Sequence, residues 1–188
     1  YKRGGNQMKV LLLNGSPRKG NTLSALEIIK KGIEENLKAE VELLDVTKYS
    51  VAGCLACDYC STHKGKCVNQ KDDGQFLADK MEEADVIIFG SPVYWWGISA
   101  QIKLAIDRMY MKKFEADKKY KQIGIIAVGA DSLEDEEYEL ISRQFRCICN
   151  YIGWDLVIDK SISAYAKTDL LNNKEVVDDL EEVWKSIK

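Results

Sequence analysis

The chain has 188 residues, 46% of them hydrophobic and 30% charged, with a formal net charge of −3. That balance predicts one folded domain with a substantial core rather than a disordered segment. It argues against a nucleic-acid groove as the main surface, and no apolar run approaches the roughly 20 residues of a membrane span. Residues 1 to 7, YKRGGNQ, have a positive start but no apolar stretch; they are read as a vector-derived remnant, leaving 8 to 188 as the domain. Six cysteines without an export signal predict a reducing, cytoplasmic setting, where clustered thiols point to metal or redox work.

The first predicted strand, 9–14, carries the apolar run Val10 to Leu13. It leads through NGSPRKGNT (14–22) into a predicted helix, 21–36, with Leu26, Ile29, Ile33 and Leu37 recurring every three or four residues. A strand that feeds a helix through such a turn presents backbone N–H groups at the positive end of the helix dipole, which suits a phosphate. Arg18 adds a fork of charged donors, and Ser16, Asn21 and Thr22 add neutral ones around Gly20. The dinucleotide pattern G-x-G-x-x-G is absent, and Asn21 stands where a Walker loop places its lysine. A terminal phosphate monoester therefore fits better than a nucleoside triphosphate.

Further along, strand 40–46 alternates polar and apolar residues, and the segment 47–70 loses all periodicity while holding four cysteines. Asp72 and Asp73 open a helix bearing Phe76, Leu77, Ala78 and Met81. Strand 85–90 is followed by the loop SPVYWWG and a helix with Ile98, Ile102, Ala105, Ile106 and Met109 on one face. Strand 123–128 precedes Gly129-Ala130, then acids from Asp131 to Glu139, read as mostly a solvated helix start, and then Tyr138, Ile141, Phe145, Ile148 and Ile152 at helical spacing. Strand 154–162, a polar connection and a last helix from about residue 173 complete the order. Five strands alternating with five helices predict a doubly wound α/β domain, a parallel sheet covered on both faces. Its ligand would lie beyond the carboxyl ends of the strands, where the winding reverses.

Pro92, Val93, Tyr94, Trp95, Trp96 and Gly97 give the third loop backbone amides and large flat side chains, which suit a planar heteroaromatic ring. A phosphate at one end and a flat ring at the other describe flavin mononucleotide (FMN). Cys54, Cys57, Cys60 and Cys67 form C-x2-C-x2-C-x6-C. Three thiolates at that interval can wrap one face of an iron–sulfur cubane while the fourth arrives from further on. Free or redox-active thiols and a zinc site are the other readings, although zinc more often takes two separated knuckles. Lys64, Lys66 and Lys71 either lower thiolate pKa values or are simply solvated. His63 is read as an ordinary exposed histidine, Cys149 as a buried inert thiol, and Asp107 and Arg108 as a local or intersubunit ion pair.

GSPRKGNT at 15–22, the cysteines at 54–67 followed by KDD at 71–73, and GSPVYWWGISAQIKLAIDR at 90–108 resemble the NADPH-dependent FMN reductase family of flavodoxin-like proteins, in its iron–sulfur flavoprotein branch. The resemblance implies a five-stranded sheet of order 2-1-3-4-5. It implies that Ser16, Arg18, Asn21 and Thr22 bind the FMN phosphate, that 92–97 border the isoalloxazine, and that Gly129, Ala130 and the residues to Ser132 close its far side. It further implies a [4Fe–4S] cluster on the four cysteines and a homodimer or homotetramer. The expected activity is that of an FMN-dependent oxidoreductase that takes electrons from NAD(P)H, with no side chain as nucleophile. A quinone, free flavin, another small oxidant or the cluster would accept them. A non-enzymatic electron carrier serving a ferredoxin-type partner, and a metal- or thiol-sensing module, are the rival expectations.

Overall fold

A computed structural model describes residues 7–114 and 120–188; the expected remnant lies, but for Gln7, outside the described residues. The strands are β1 (Met8–Asn14), β2 (Ala39–Asp45), β3 (Val86–Tyr94), β4 (Gly97–Ile98), β5 (Gln122–Gly129) and β6 (Asp155–Ser163). The helices are α1 (Asn21–Asn36), α2 (Tyr59–Thr62), α3 (Gly74–Glu83), α4 (Ala100–Arg108), α5 (Glu136–Ile152), α6 (Asp169–Asn172) and α7 (Lys174–Glu181). Five strands form a parallel sheet in the order β2-β1-β3-β5-β6, and the two-residue β4 folds back antiparallel on the end of β3. Numbered by the parallel strands alone, this is the expected flavodoxin-like order.

Successive side chains of a strand point to opposite faces, so an unbroken apolar run means burial on both. Val10 and Leu12 pack with Ile88, Ile126 and Ile158 under Leu26, Ile29 and Ile33 of α1 and Leu180 of α7. Leu11 and Leu13 pack with Ile87, Phe89 and Ile125 under Leu77 and Met81 of α3, Ile102 of α4, and Ile141 and Phe145 of α5. Each fully buried side chain of this size contributes about 1.5–3 kcal/mol relative to exposure. Lys121, 1% exposed, ends α3 by donating to the carbonyls of Glu82 (2.6 Å) and Ala84 (2.7 Å).

Three elements differ from the sequence reading. β3 continues four residues past Gly90 because its tip turns back on itself through Trp95 and Trp96 to pair Val93 with Ile98. Ile98 accordingly lies in β4 and not in the helix, which starts at Ala100 behind a Ser99 cap whose Oγ accepts from the Ile102 N–H (3.4 Å). The acidic stretch begins as a turn, with the Asp135 N–H on the Ser132 carbonyl, and α5 starts only at Glu136. The polar connection after β6 holds the short α6, and the cysteine loop holds the short α2; four residues are too few to show a period.

Candidate functional site

The register places Asn14 beside Gly90 and Pro92 beside Val128, so the carboxyl ends of β1, β3 and β5 share one edge. The winding reverses between β1 and β3. A Cβ at Gly15 would overlap Ile102 Cγ1 and stand 2.7 Å from Ser99 Oγ. Glycine there lets the first loop lie directly on the start of α4, which brings the first and third loops together.

The buried Asn14 side chain accepts from the Ser16 N–H and donates to the Ser16 carbonyl, both at 3.2 Å. Ser16 Oγ in turn donates to the Arg18 carbonyl (3.0 Å), so the loop is shaped by its own side chains. No side chain caps α1, whose first backbone bond outside the helix proper is Ser24 N–H to Gly20 O, 3.0 Å. The N–H groups of Asn21, Thr22 and Leu23 therefore stand ahead of the helix ladder. Thr22 is buried, and its side chain bonds no described residue.

Arg18 and Lys19 are exposed on this loop, and Lys167 reaches it from the β6–α6 connection: a Cβ on Gly20 would lie 3.5 Å from Lys167 Cγ and 3.7 Å from Arg18 Nε. None of the three cations has an ion-pair partner among the described residues. Arg18 and Lys167 thus come together at the positive end of a helix dipole, an arrangement that suits an anion. Lys167 is 145 residues from Thr22 and carries no local motif, so sequence reading passed over it.

Asn21 does different work from that expected. Its Nδ2 donates to the carbonyls of Ala164 (3.5 Å) and Ala166 (2.8 Å), and its Oδ1 accepts from the Leu170 N–H (3.3 Å). The side chain is fully engaged in pinning the segment that carries Lys167, so only its backbone N–H faces the role assigned to it from sequence.

At the other end, Trp95 and Trp96 have φ of 49° and 58°, left-handed values at both central positions of a two-residue hairpin. Asn-Gly is the usual choice there, and a non-glycine residue costs about 1–2 kcal/mol at each. Trp95 is nonetheless 92% exposed, and its ring lies 6.2 Å from that of Trp96. Tyr94 is also exposed, Pro92, Val93 and Gly97 are half-buried, and Ser91 Oγ braces the turn by accepting from the Ser99 N–H (2.8 Å). At the end of β5, Gly129 is buried and Ala130 exposed; the Gly129 carbonyl accepts from the Ala164 N–H at 2.8 Å.

Glu137 is the exception in the acidic run, whose other acids, Asp131, Glu134, Asp135, Glu136 and Glu139, are exposed as expected. It is 6% exposed, and its Oε1 meets no hydrogen-bond geometry among the described residues; burial pushes its carboxyl up, Asp131 and Asp135 add to the shift, and the nearby Tyr138 hydroxyl partly offsets it. Burial also pushes the neighbouring Tyr138 phenol up to about 12, assisted by Glu137, while its hydroxyl donates to the Asp131 carbonyl (3.0 Å).

Cys54, Cys57, Cys60 and Cys67 are free thiols bordering one hollow of about 40 Å³, with Leu55, Val68, Met111 and Arg108. Among the described residues no three ligating side chains converge on one point. Burial pushes the Cys60 thiol up, and Cys54, Asp58 and Cys57 add to it, so no lowering by Lys64, Lys66 or Lys71 is seen there. Ala56, Asp58 and Lys64 all have positive φ, so the backbone of the loop is strained at three non-glycine positions. His63 stacks on Tyr59 at 3.6 Å and closes α2. Arg108 and Asp107 do not pair with each other: Asp107 takes Lys103 (2.6 Å), and Arg108 takes Asp72 across the fold (2.9 Å).

A larger cavity of about 610 Å³, lined by Met81, Ile106, Lys121, Ile148 and Trp154 among others, opens at the amino ends of β5 and β6. It lies at the edge opposite the three loops. No described helix is long and apolar enough to cross a membrane.

An iron–sulfur flavoprotein of Archaeoglobus fulgidus is 41% identical over 106 residues, covering 56% of this chain and 51% of that protein. An iron–sulfur flavoprotein of Methanocaldococcus jannaschii is 39% identical over 125 residues, covering 65% of this chain and 63% of that protein. The matches thus span about half to two thirds of these relatives' length. A solved NAD(P)H:quinone oxidoreductase from Methanothermobacter marburgensis shares the fold with a TM-score of 0.74 at 15% identity, over 97% of each chain. The sequence profile of the NADPH-dependent FMN reductases matches residues 8–144. The chain belongs to the NADPH-dependent FMN reductase family.

Proposed function

We propose that the protein is an FMN-dependent oxidoreductase that draws electrons from NAD(P)H. The observation that carries this reading is the pair of cations Arg18 and Lys167, without ion-pair partners among the described residues, beside an uncapped helix start, one strand away from an exposed aromatic hairpin. The residues present fit FMN. The N–H groups at the start of α1, the Thr22 hydroxyl and these two cations would hold the phosphate. Tyr94, Trp95 and Trp96 would cover the ring from one side, with Gly129 and Ala130 opposite. Bound FMN supplies the redox chemistry, exchanging a hydride or single electrons. The chain's part is to bind, orient and exclude water, and no nucleophilic side chain is required. The stored backbone strain at Trp95 and Trp96 holds the rings ready for a flat ligand.

The four cysteines fit a [4Fe–4S] cluster in donor chemistry and neighbourhood, and the names of the relatives support it. Ligation would need the exposed Cys54 and Cys57 side chains to turn inward. A quinone or another small oxidant is the expected final acceptor, and a homo-oligomer the expected assembly. The test is an absorption spectrum of protein purified without oxygen, before and after NADPH. Flavin bands that bleach on NADPH support the reading. A protein that takes up no FMN overturns it, and bleaching only by reduced ferredoxin would make the protein an electron carrier.

A further inference from the structure

The cysteine loop is closed by one buried ion pair. Arg108 and Asp72, with side chains 2% and 7% exposed, meet through both guanidinium nitrogens, Nη1 to Oδ2 at 2.9 Å and Nη2 to Oδ1 at 3.0 Å. The same carboxylate accepts from the N–H of Ala52 (3.0 Å) and from Asn69 Nδ2 (2.9 Å), residues that flank the cysteines on either side. It also accepts from the Gly74 N–H at 3.0 Å. Arg108 Nη1 donates to the Ala52 carbonyl as well (3.2 Å). Asp73 anchors the entrance once more by accepting from the Ser50 N–H (2.7 Å). Gly74 is required by this arrangement, since a Cβ there would lie 2.5 Å from Arg108 Cζ.

Two further facts turn a staple into something more specific. Among the described residues that border the four-thiol hollow, Arg108 is the one cation. Its Nε–H is buried and has no hydrogen-bond partner among the described residues. An orphaned charged donor is costly, and a structural clamp needs only the two Nη groups. Arg108 also ends α4, whose other end starts behind the aromatic hairpin, a rise of about 13 Å away.

We propose that Arg108 is the positioning residue of the four-cysteine centre: it fixes both ends of the loop through Asp72 and offers its guanidinium to the anionic cluster. This rests on the cluster reading above. In that role the pair is electrically balanced, so removing either partner leaves one charge uncompensated beside the cluster. Asp72→Asn leaves a free cation, which favours the reduced cluster. Arg108→Gln leaves a free carboxylate, which disfavours it.

The experiment measures iron and sulfide per FMN after anaerobic purification, and the cluster midpoint potential by electron paramagnetic resonance titration. The parent, Asp72→Asn, Arg108→Gln and Arg108→Lys are compared, with FMN content as the check on folding. The expected result is iron reduced at least twofold in Arg108→Gln, a potential raised in Asp72→Asn and lowered in Arg108→Gln, and partial recovery in Arg108→Lys. Should Arg108→Gln fail to fold, the other two variants carry the test through their potentials. Unchanged potentials, or shifts of one sign in all variants, overturn the proposal and leave a plain structural clamp. A parent that takes up FMN but no iron overturns the cluster reading, and this inference with it.

Discussion

Glu137 and Asp72 are both buried carboxylates, and the protein pushes them in opposite directions. Burial works to raise Asp72, but the N–H groups of Ala52 and Gly74 and the Arg108 guanidinium outweigh it and hold the group below the ordinary carboxylate value. Its contribution to stability is present above that ordinary value and is lost as pH falls through the depressed one. Glu137 is raised, chiefly by burial, so its contribution is present below the ordinary value and is lost as pH rises through the raised one. Thermal unfolding of Glu137→Gln should match the parent near about pH 4 and exceed it near about pH 8, whereas the deficit of Asp72→Asn should shrink toward acid pH. A constant offset across that range would contradict both assignments. The acidic run was legible as a helix start, but the inward turn of Glu137 was not, because charge in a sequence reads as exposure. Cys149 illustrates the opposite case. Its place four residues after Phe145 marked it as buried, and the thiol is pushed up to about 11 by that burial, with Asp155 adding to it.

At the scale of elements, helical and apolar periodicity found α1 at its observed bounds and each parallel strand but β3 to within a residue or two. What it missed were features set by tertiary pairing. The β3–β4 hairpin carries tryptophan where turn chemistry asks for Asn-Gly, so no local signal announced it. Asn21 looked like a phosphate donor because its true partners lie more than 140 residues away. The contact between the first loop and α4 is equally non-local, and it hinges on Gly15. Gly15→Ala should destabilise the fold by about 1–3 kcal/mol, since Ile102 and Ser99 must shift to admit one methyl group. Urea unfolding measures the loss, and on the proposed reading FMN affinity should fall in the same variant because the first and third loops are spread apart.

For the whole molecule, a ligand that binds only the folded state adds RT ln(1 + [L]/Kd) to stability, about 2.7 kcal/mol at a hundredfold excess over Kd. FMN should raise the melting temperature strongly, and riboflavin, which lacks the phosphate, much less. In an Arg18→Ala, Lys167→Ala double variant the gap between the two ligands should largely close, because each charge-assisted bond carries about 1.5–3 kcal/mol. Equal shifts by the two flavins in the parent would remove the anion site from the account. Such shifts report on the carboxyl edge of the sheet, since the 610 Å³ cavity lies at the other edge.

The tether from Asn21 to residues 164–170 has a consequence for biogenesis. A chain emerging from the ribosome displays the turn at 15–20 well before Lys167 and the backbone carbonyls that complete that corner, which arrive only with β6 and α6. On the proposed reading, cofactor capture waits for residues 164–170 to dock on Asn21, and a polypeptide interrupted before residue 164 would carry nearly all the recognisable motifs while leaving the flavin's tail half-gripped.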